Sequence, residues 1–241
     1  MYSILATAGL FYVNLGGAFL SAFVDGLGLA RDQAGFIVSA NKYGAAFGAL
    51  LATFIVKKVA WRKTILFLFI LMIIVDVTSS LITSPSSLIY IRFFHGTIGG
   101  LSVGIGLSII ARTYNPDKIF GMLLVVQYSF GSIGIFTVPR LVDSFGHGAV
   151  FGVLILFTLM TILILPFVPD VREPDNKKIK FSLNINYFLL LALAGLFLFQ
   201  SSNMGVADYA FELGKDIGLK NNEISNMPVS YTHLTLPTKF V

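Results

Sequence analysis

The stretch Ser87–Tyr114, SLIYIRFFHGTIGGLSVGIGLSIIARTY, decides how the rest of the chain is read. It is almost wholly apolar, yet it carries Arg92 and His95, followed by Gly96, Gly99, Gly100, Gly104 and Gly106. A permanent cation inside an apolar run means one thing in water and another in lipid. The first question is therefore the solvent.

Composition answers it. The chain is 56% hydrophobic and 12% charged, with a mean hydropathy of +0.83, whereas a soluble domain carries about 25% charged residues. A water-soluble chain of 241 residues could not bury this much apolar surface. The apolar residues fall instead into blocks of about 20, long enough to cross a hydrocarbon core of ~30 Å as helices. Seven such blocks are predicted, at about 3–24, 34–56, 64–83, 88–111, 119–141, 148–168 and 187–209. Barrel-type alternation is absent, which leaves an all-α, polytopic transmembrane helix bundle. The cysteine count of zero removes disulfides and thiolate metal sites. The first apolar block is too long for a cleavable signal and lacks a charged leader.

The basic residues set the expected orientation. KKVAWRK carries Lys57, Lys58, Arg62 and Lys63; RTYNPDK adds Arg112 and Lys118; PDVREPDNKKIK adds Arg172, Lys177, Lys178 and Lys180. The alternate connections hold only Arg31 and His147. Cytoplasmic loops retain Lys and Arg, so the amino terminus is expected inside a cytoplasmic (inner) membrane. The net charge of +5 is then a topology signal and a match to the lipid bilayer, and no nucleic-acid partner is expected.

The chain also repeats itself. AGLFYVN at Ala8–Asn14 matches AGLFLFQ at Ala194–Gln200, and DGLGLARDQAG at Asp25–Gly35 is echoed by KDIGLKNNEIS at Lys215–Ser225. The first and seventh spans with their following loops therefore read as copies. The expected organisation is an amino-terminal six-helix bundle over 1–168, a linker over 169–186 and the start of a second bundle over 187–228. Internal repeats of this kind mark secondary transporters, whose sites lie at the repeat interface near the midplane.

Over Ile4–Met227 the sequence resembles the major facilitator superfamily, in its amino-terminal half plus the seventh span. The pattern Arg92-x-x-x-Gly96-x-x-x-Gly100 looks like the family's fourth-span arginine followed by small residues. The loop FIVKKVAWRKTI resembles the family's cytoplasmic signature through Arg62 and Lys63, but Lys57 stands where the acid belongs, and Thr53 and Ala60 replace glycines. The family's fifth-span antiporter pattern is not met by GSIGIFTVPR. The resemblance implies a transporter that moves a small solute by rocking two halves, proton-coupled, and monomeric when full length. It also implies that the first and fourth spans pack together, which would let Asp25 pair with Arg92; a snorkelling Arg92 is the alternative.

The carboxyl end reads differently. VSYTHLTLPT at Val229–Thr238 follows no span periodicity and looks like an in-frame translation of a sequencing-library adapter. Residues 229–241 are therefore expected not to be native, in a chain cut short of its second half.

Other polar residues inside the spans are candidates for a solute pathway: Asn14, Asn41, Lys42, His95, Gln127, Arg140, Gln200, Asn203 and Asp208. Lys42 and Asp76 lie at similar depth and are expected to form a structural pair. His95 is either a group titrating near neutral pH or a packed neutral ring. The glycines after Arg92 read as close helix packing or as a smooth pathway wall. Metal-ligand spacing, a nucleophile elbow and a phosphate loop are all missing, so no cofactor and no enzyme activity are expected. The competing readings are a non-transporting membrane scaffold and a membrane-embedded enzyme.

Overall fold

A computed structural model describes residues 1–171 and 186–226. All regular structure among the described residues is helical. The first span is a broken pair, α1 (Tyr2–Asn14) and α2 (Gly16–Leu27). Then come α3 (Arg31–Ile55), α4 (Trp61–Ser80), α5 (Pro85–Ala111), α6 (Pro116–Phe145), α7 (Gly148–Ile164), α8 (Tyr187–Asp216) and a short α9 (Asn221–Ile224). Short connections make successive spans antiparallel up to α7, and the ion pair of Lys215 with Asp25 puts the carboxyl end of α8 beside that of α2. One end of the bundle, the Gly28 end, therefore gathers connections 28–30, 81–84, 146–147 and 217–220; the Ala60 end gathers 56–60, 112–115 and 168–171. The 172–185 part of the expected linker and the adapter-like tail lie outside the described residues.

Among the described residues, five helices are long and apolar enough to cross a membrane, and the α1–α2 pair qualifies as a sixth span bent by 44°. The α3 helix has 25 residues but places Asn41, Lys42 and a run of Gly and Ala where the others carry Leu and Phe. Those small residues explain its position. Ala40, Gly44, Gly48 and Ala52 recur every fourth residue and line one face of α3. Gly96, Gly100 and Gly104 do the same on α5, and the two rows interlock. A Cβ on Gly44 or Gly48 would strike the Phe93 or Thr97 carbonyl, and one on Gly96 or Gly100 would strike that of Asn41 or Ala45. Close backbone approach of this kind is what holds helices together where lipid removes the hydrophobic drive.

The opposite face of α5 repeats the device against α1. A Cβ on Gly99 would sit 2.8 Å from the Gly9 carbonyl, and one on Gly106 would sit 3.1 Å from the Ala6 Cβ. The fourth span is thus clamped between the first and second, so the glycines of Ser87–Tyr114 serve packing. Behind it, Phe19 packs edge to face on Phe23 and Phe151, with the Phe19 and Phe151 centroids 5.5 Å apart, and Phe23 lies tilted against Phe151.

The break in the first span falls at Leu15, just before the Gly16–Gly17 pair. Any Cβ on Gly16 would collide with the Asp208 carboxylate, and one on Gly17 would lie 2.7 Å from the Ala207 carbonyl. Two missing side chains therefore let α8 lie against the bend. The repeat inferred from sequence has matching local geometry. Gly28 and Gly218 both adopt positive φ (65° and 89°), which glycine tolerates without strain. Three residues later a new helix starts, and Gln33 and Glu223 reach back to accept from the Ala30 and Lys220 amides.

Candidate functional site

Arg92 is fully buried, and so is the carboxylate it meets. That carboxylate is Asp76: Nη2 of Arg92 donates to Asp76 Oδ1 at 2.8 Å, with both side chains 0% exposed. The expected Asp25–Arg92 pair is therefore incorrect, and Arg92 does not snorkel. Asp76 lies one turn before the end of α4, and Arg92 two turns after the start of α5. The tight 81–84 connection brings these depths side by side. A count outward from that turn would have found the pair in the sequence.

The rest of the pocket comes from His95 on α5 itself and from three other spans. The Asn41 amide donates to the Arg92 carbonyl at 3.1 Å and to His95 Nδ1 at 2.8 Å. With Nδ1 accepting, the neutral ring carries its proton on Nε2, 3.3 Å from Asp76 Oδ1. The rings of Tyr12 and Phe151 flank the guanidinium, with centroids 5.4 and 5.2 Å away. This is a cation–π enclosure of a desolvated Arg. All of these groups belong to the six amino-terminal spans. Asn41 and His95 are thus held inside that bundle and do not face α8.

A second layer of charges joins that bundle to α8. Lys42 bonds to Asp208, with side chains 18% and 13% exposed, so the expected Lys42–Asp76 pair is also incorrect. Asp76 is already taken by Arg92 within its own hairpin, whereas α8 delivers Asp208 across the gap left by Gly16. Farther toward the Gly28 end, Arg31 contacts Glu212 at 2.9 Å and Asp216 at 2.7 Å. Hydrogen bonding to Asp216 pushes the pKa of the Arg31 guanidinium above its ordinary value, so it stays charged. Lys215 bridges Asp25 and Glu212, each at 2.7 Å. Asp25 also accepts from Ser21 and Asn221, both at 3.1 Å. Sequence reasoning missed Glu212, Lys215 and Asp216. Their signal was the charge run ELGKD closing a span whose equivalent in the first repeat ends in Asp25.

The remaining candidates scatter. Asn14 and Gln127 bond to each other between α1 and α6, at 3.2 and 3.3 Å. Arg140 stacks on Phe136, bonds to the Phe136 carbonyl and reaches Ser225 and Asn226 beside α9. Gln200 and Asn203 lie exposed on α8. In the basic loop, Arg62 donates to the Leu165 and Val168 carbonyls and to Asp170, closing the carboxyl end of α7. Lys57, Lys58 and Lys63 are exposed. A cavity of about 690 Å³ opens at the Ala60 end, lined in part by Tyr2, Arg112, Lys118 and Asp170. It lies at the opposite end of the bundle from the ion pairs.

A membrane bundle clamped by small residues, with a repeat folding back on its own first span, matches the model of the Major Facilitator Superfamily over residues 1–233. The chain belongs to that superfamily. It is a multi-pass membrane protein. No match is found among curated proteins. Among solved structures, this facilitator chain is similar to one described as a D-xylose-proton symporter, at a TM-score of 0.63 and 16% identity. The alignment covers 95% of this chain and 64% of the symporter, so this facilitator chain spans about two thirds of that protein's length. At that identity the likeness concerns the fold alone.

Proposed function

We propose that the chain is the amino-terminal part of a secondary active transporter, which moves a small solute across the cytoplasmic membrane by alternating access coupled to protons. The observation that carries this reading is the set of charge bridges between α2–α3 and α8. Every one of them lies between the amino-terminal bundle and the first helix of the second repeat, from mid-depth at Lys42–Asp208 out to the Gly28 end. Contacts that close one end between two halves are what a rocking motion must break and remake. Family membership supports the same reading, and the symporter of similar fold is described as carrying a sugar with protons. The Lys/Arg bias puts the Ala60 end in the cytoplasm, so the closed Gly28 end faces out. The Asp25–Arg92 pair has no part in this account.

The test is flux in sealed vesicles. The protein, completed to the two-bundle length of the family, is reconstituted with a pH-sensitive dye inside, and a panel of small sugars, organic acids and amines is added in turn. A transporter gives solute-dependent proton movement with at least one member. Binding without movement, in either direction and with or without a pH gradient, would favour the non-transporting scaffold.

A further inference from the structure

We infer that Asp208, paired with Lys42, is the carboxylate through which a proton opens the Gly28 end. This rests on the alternating-access reading and adds the residue that links protonation to motion. A bound proton can shift a two-state equilibrium only if its site differs between the states. That condition sorts the carboxylates.

Asp76 fails it, because its partners Arg92 and His95 sit on α5 of the same bundle and travel with it. Asp25 bridges the halves but is 38% exposed, and Lys215 is held as well by Glu212 and Ser21. Neutralising Asp25 would leave Lys215 with a carboxylate and solvent. Glu212 is shared between Arg31 and Lys215, and Arg31 keeps Asp216. Asp208 differs from all three. Among the described residues it is the one acceptor of Lys42, and the pair spans α3 and α8. Lys42 lies about 16 Å of helix rise from the start of α3, in the middle of the span.

The groups facing Asp208 are few. Lys42 faces it from α3, the bare backbone of Gly16 from α2, and Tyr12 lies within electrostatic reach on α1. Tyr12 in turn stands next to the Arg92–Asp76 pair. On α8 itself the next charge is Glu212, one turn along and answered by Arg31 and Lys215. When a proton binds Asp208, the pair loses its negative member and Lys42 is left as an unanswered cation at mid-depth. Separation of α3 from α8 then lets water reach it. Loss of the proton restores the pair and recloses the end.

The chain has no cysteine, so single cysteines at the exposed positions Phe36 on α3 and Leu213 on α8 give a clean pair of spin labels. Their separation is measured in lipid nanodiscs as pH falls from about 8 to about 4, a range that brackets carboxylate titration. The labelled parent should shift toward longer distances as pH falls. Asp208→Asn should be open at every pH, because it mimics the protonated carboxyl and leaves Lys42 without its counter-charge. Lys42→Gln should invert the response: its lone carboxylate opens the end at high pH, and protonation closes it. The double variant should stay closed and indifferent to pH. An inverted slope is something a merely structural pair would not produce, and it remains readable if Asp208→Asn fails to fold.

A parent response that survives unchanged in Asp208→Asn or in Lys42→Gln would overturn the assignment while leaving the two-half motion standing. A parent closed at all pH with an open Asp208→Asn would do the same. Fixed distances in every variant would remove both the assignment and the motion.

Discussion

Asp25 and Lys215 occupy equivalent places in the two repeated segments, 190 residues apart, and they pair with each other at 2.7 Å. Gly28 and Gly218, and Gln33 and Glu223, share the same separation. A contact between equivalent positions of two copies lies where a two-fold relation between them would put its axis. Identical charges there would repel, whereas Asp25 and Lys215 carry opposite signs and attract. The repeat is therefore legible twice, once as sequence similarity and once as an ion pair on its own seam.

That pair is partly exposed and shares its partners, so it should contribute only about 0.2–1 kcal/mol. Lys215→Ala should lower thermal stability slightly in detergent, and exchanging the charges (Asp25→Lys with Lys215→Asp) should recover part of the loss. A short bifunctional maleimide bridging Asp25→Cys and Lys215→Cys would report the closed Gly28 end directly. Failure to cross-link under any condition would contradict the arrangement of α2 against α8.

The Arg92–Asp76 pair should behave very differently. Asp76→Ala leaves a buried guanidinium without its counter-charge and should cost about 3–5 kcal/mol. Replacing both partners with apolar residues, as in Asp76→Leu with Arg92→Met, should recover most of that loss. Thermal unfolding of the purified variants measures it; equal losses in the single and double variants would show that the charge pairing is not what matters.

Interlocked glycines make a steric prediction. Gly44→Leu, Gly96→Leu or Gly100→Leu should prevent α3 and α5 from approaching and strongly reduce folded yield, beyond the about 1–3 kcal/mol typical of milder overpacking. Gly152→Leu, where an added Cβ meets nothing within 4 Å, should be neutral. Size-exclusion profiles of the four variants discriminate; similar profiles would deny the clamp.

Orientation can be tested at the basic connections. Reporter fusions after Lys63 and Lys118 should both read cytoplasm, following the Lys/Arg bias. Arg62→Ala should destabilise the bundle by freeing the carbonyls of Leu165 and Val168, whereas Lys57→Ala and Lys58→Ala should leave stability unchanged. A periplasmic signal at Lys118 would reverse the assignment of inside and outside.

The all-α membrane bundle, most of its spans and the repeat could be read from the chain, because they depend on local quantities; the expected 34–56 span forms α3, which is not among the helices apolar enough to cross. Twenty apolar residues must cross as a helix in lipid, whatever they touch. Small residues at every fourth position make a flat face in any helix, so Gly96 and Gly100 already pointed to packing. Membership of the major facilitator superfamily rested on the same local signs.

Which charge met which was another matter. Asp25, Lys42, Asp76, Arg92 and Asp208 were all visible as charges inside or at the ends of spans, yet every pairing expected from the sequence was incorrect. Depth along a helix can be counted from the chain, but the azimuth at which two helices face each other cannot. A single residue's step around a helix is about 100°, enough to turn a carboxylate from one neighbour to the next. Asp76 was claimed by the hairpin to its own neighbour, and Asp208 reached Lys42 only because Gly16 and Gly17 let α8 lie in the bend of the first span. The sequence by itself determined the solvent, most of the spans and the copies; packing in three dimensions alone decided the partners, because a charge in a dry interior pairs with whichever opposite charge the helix faces bring within reach.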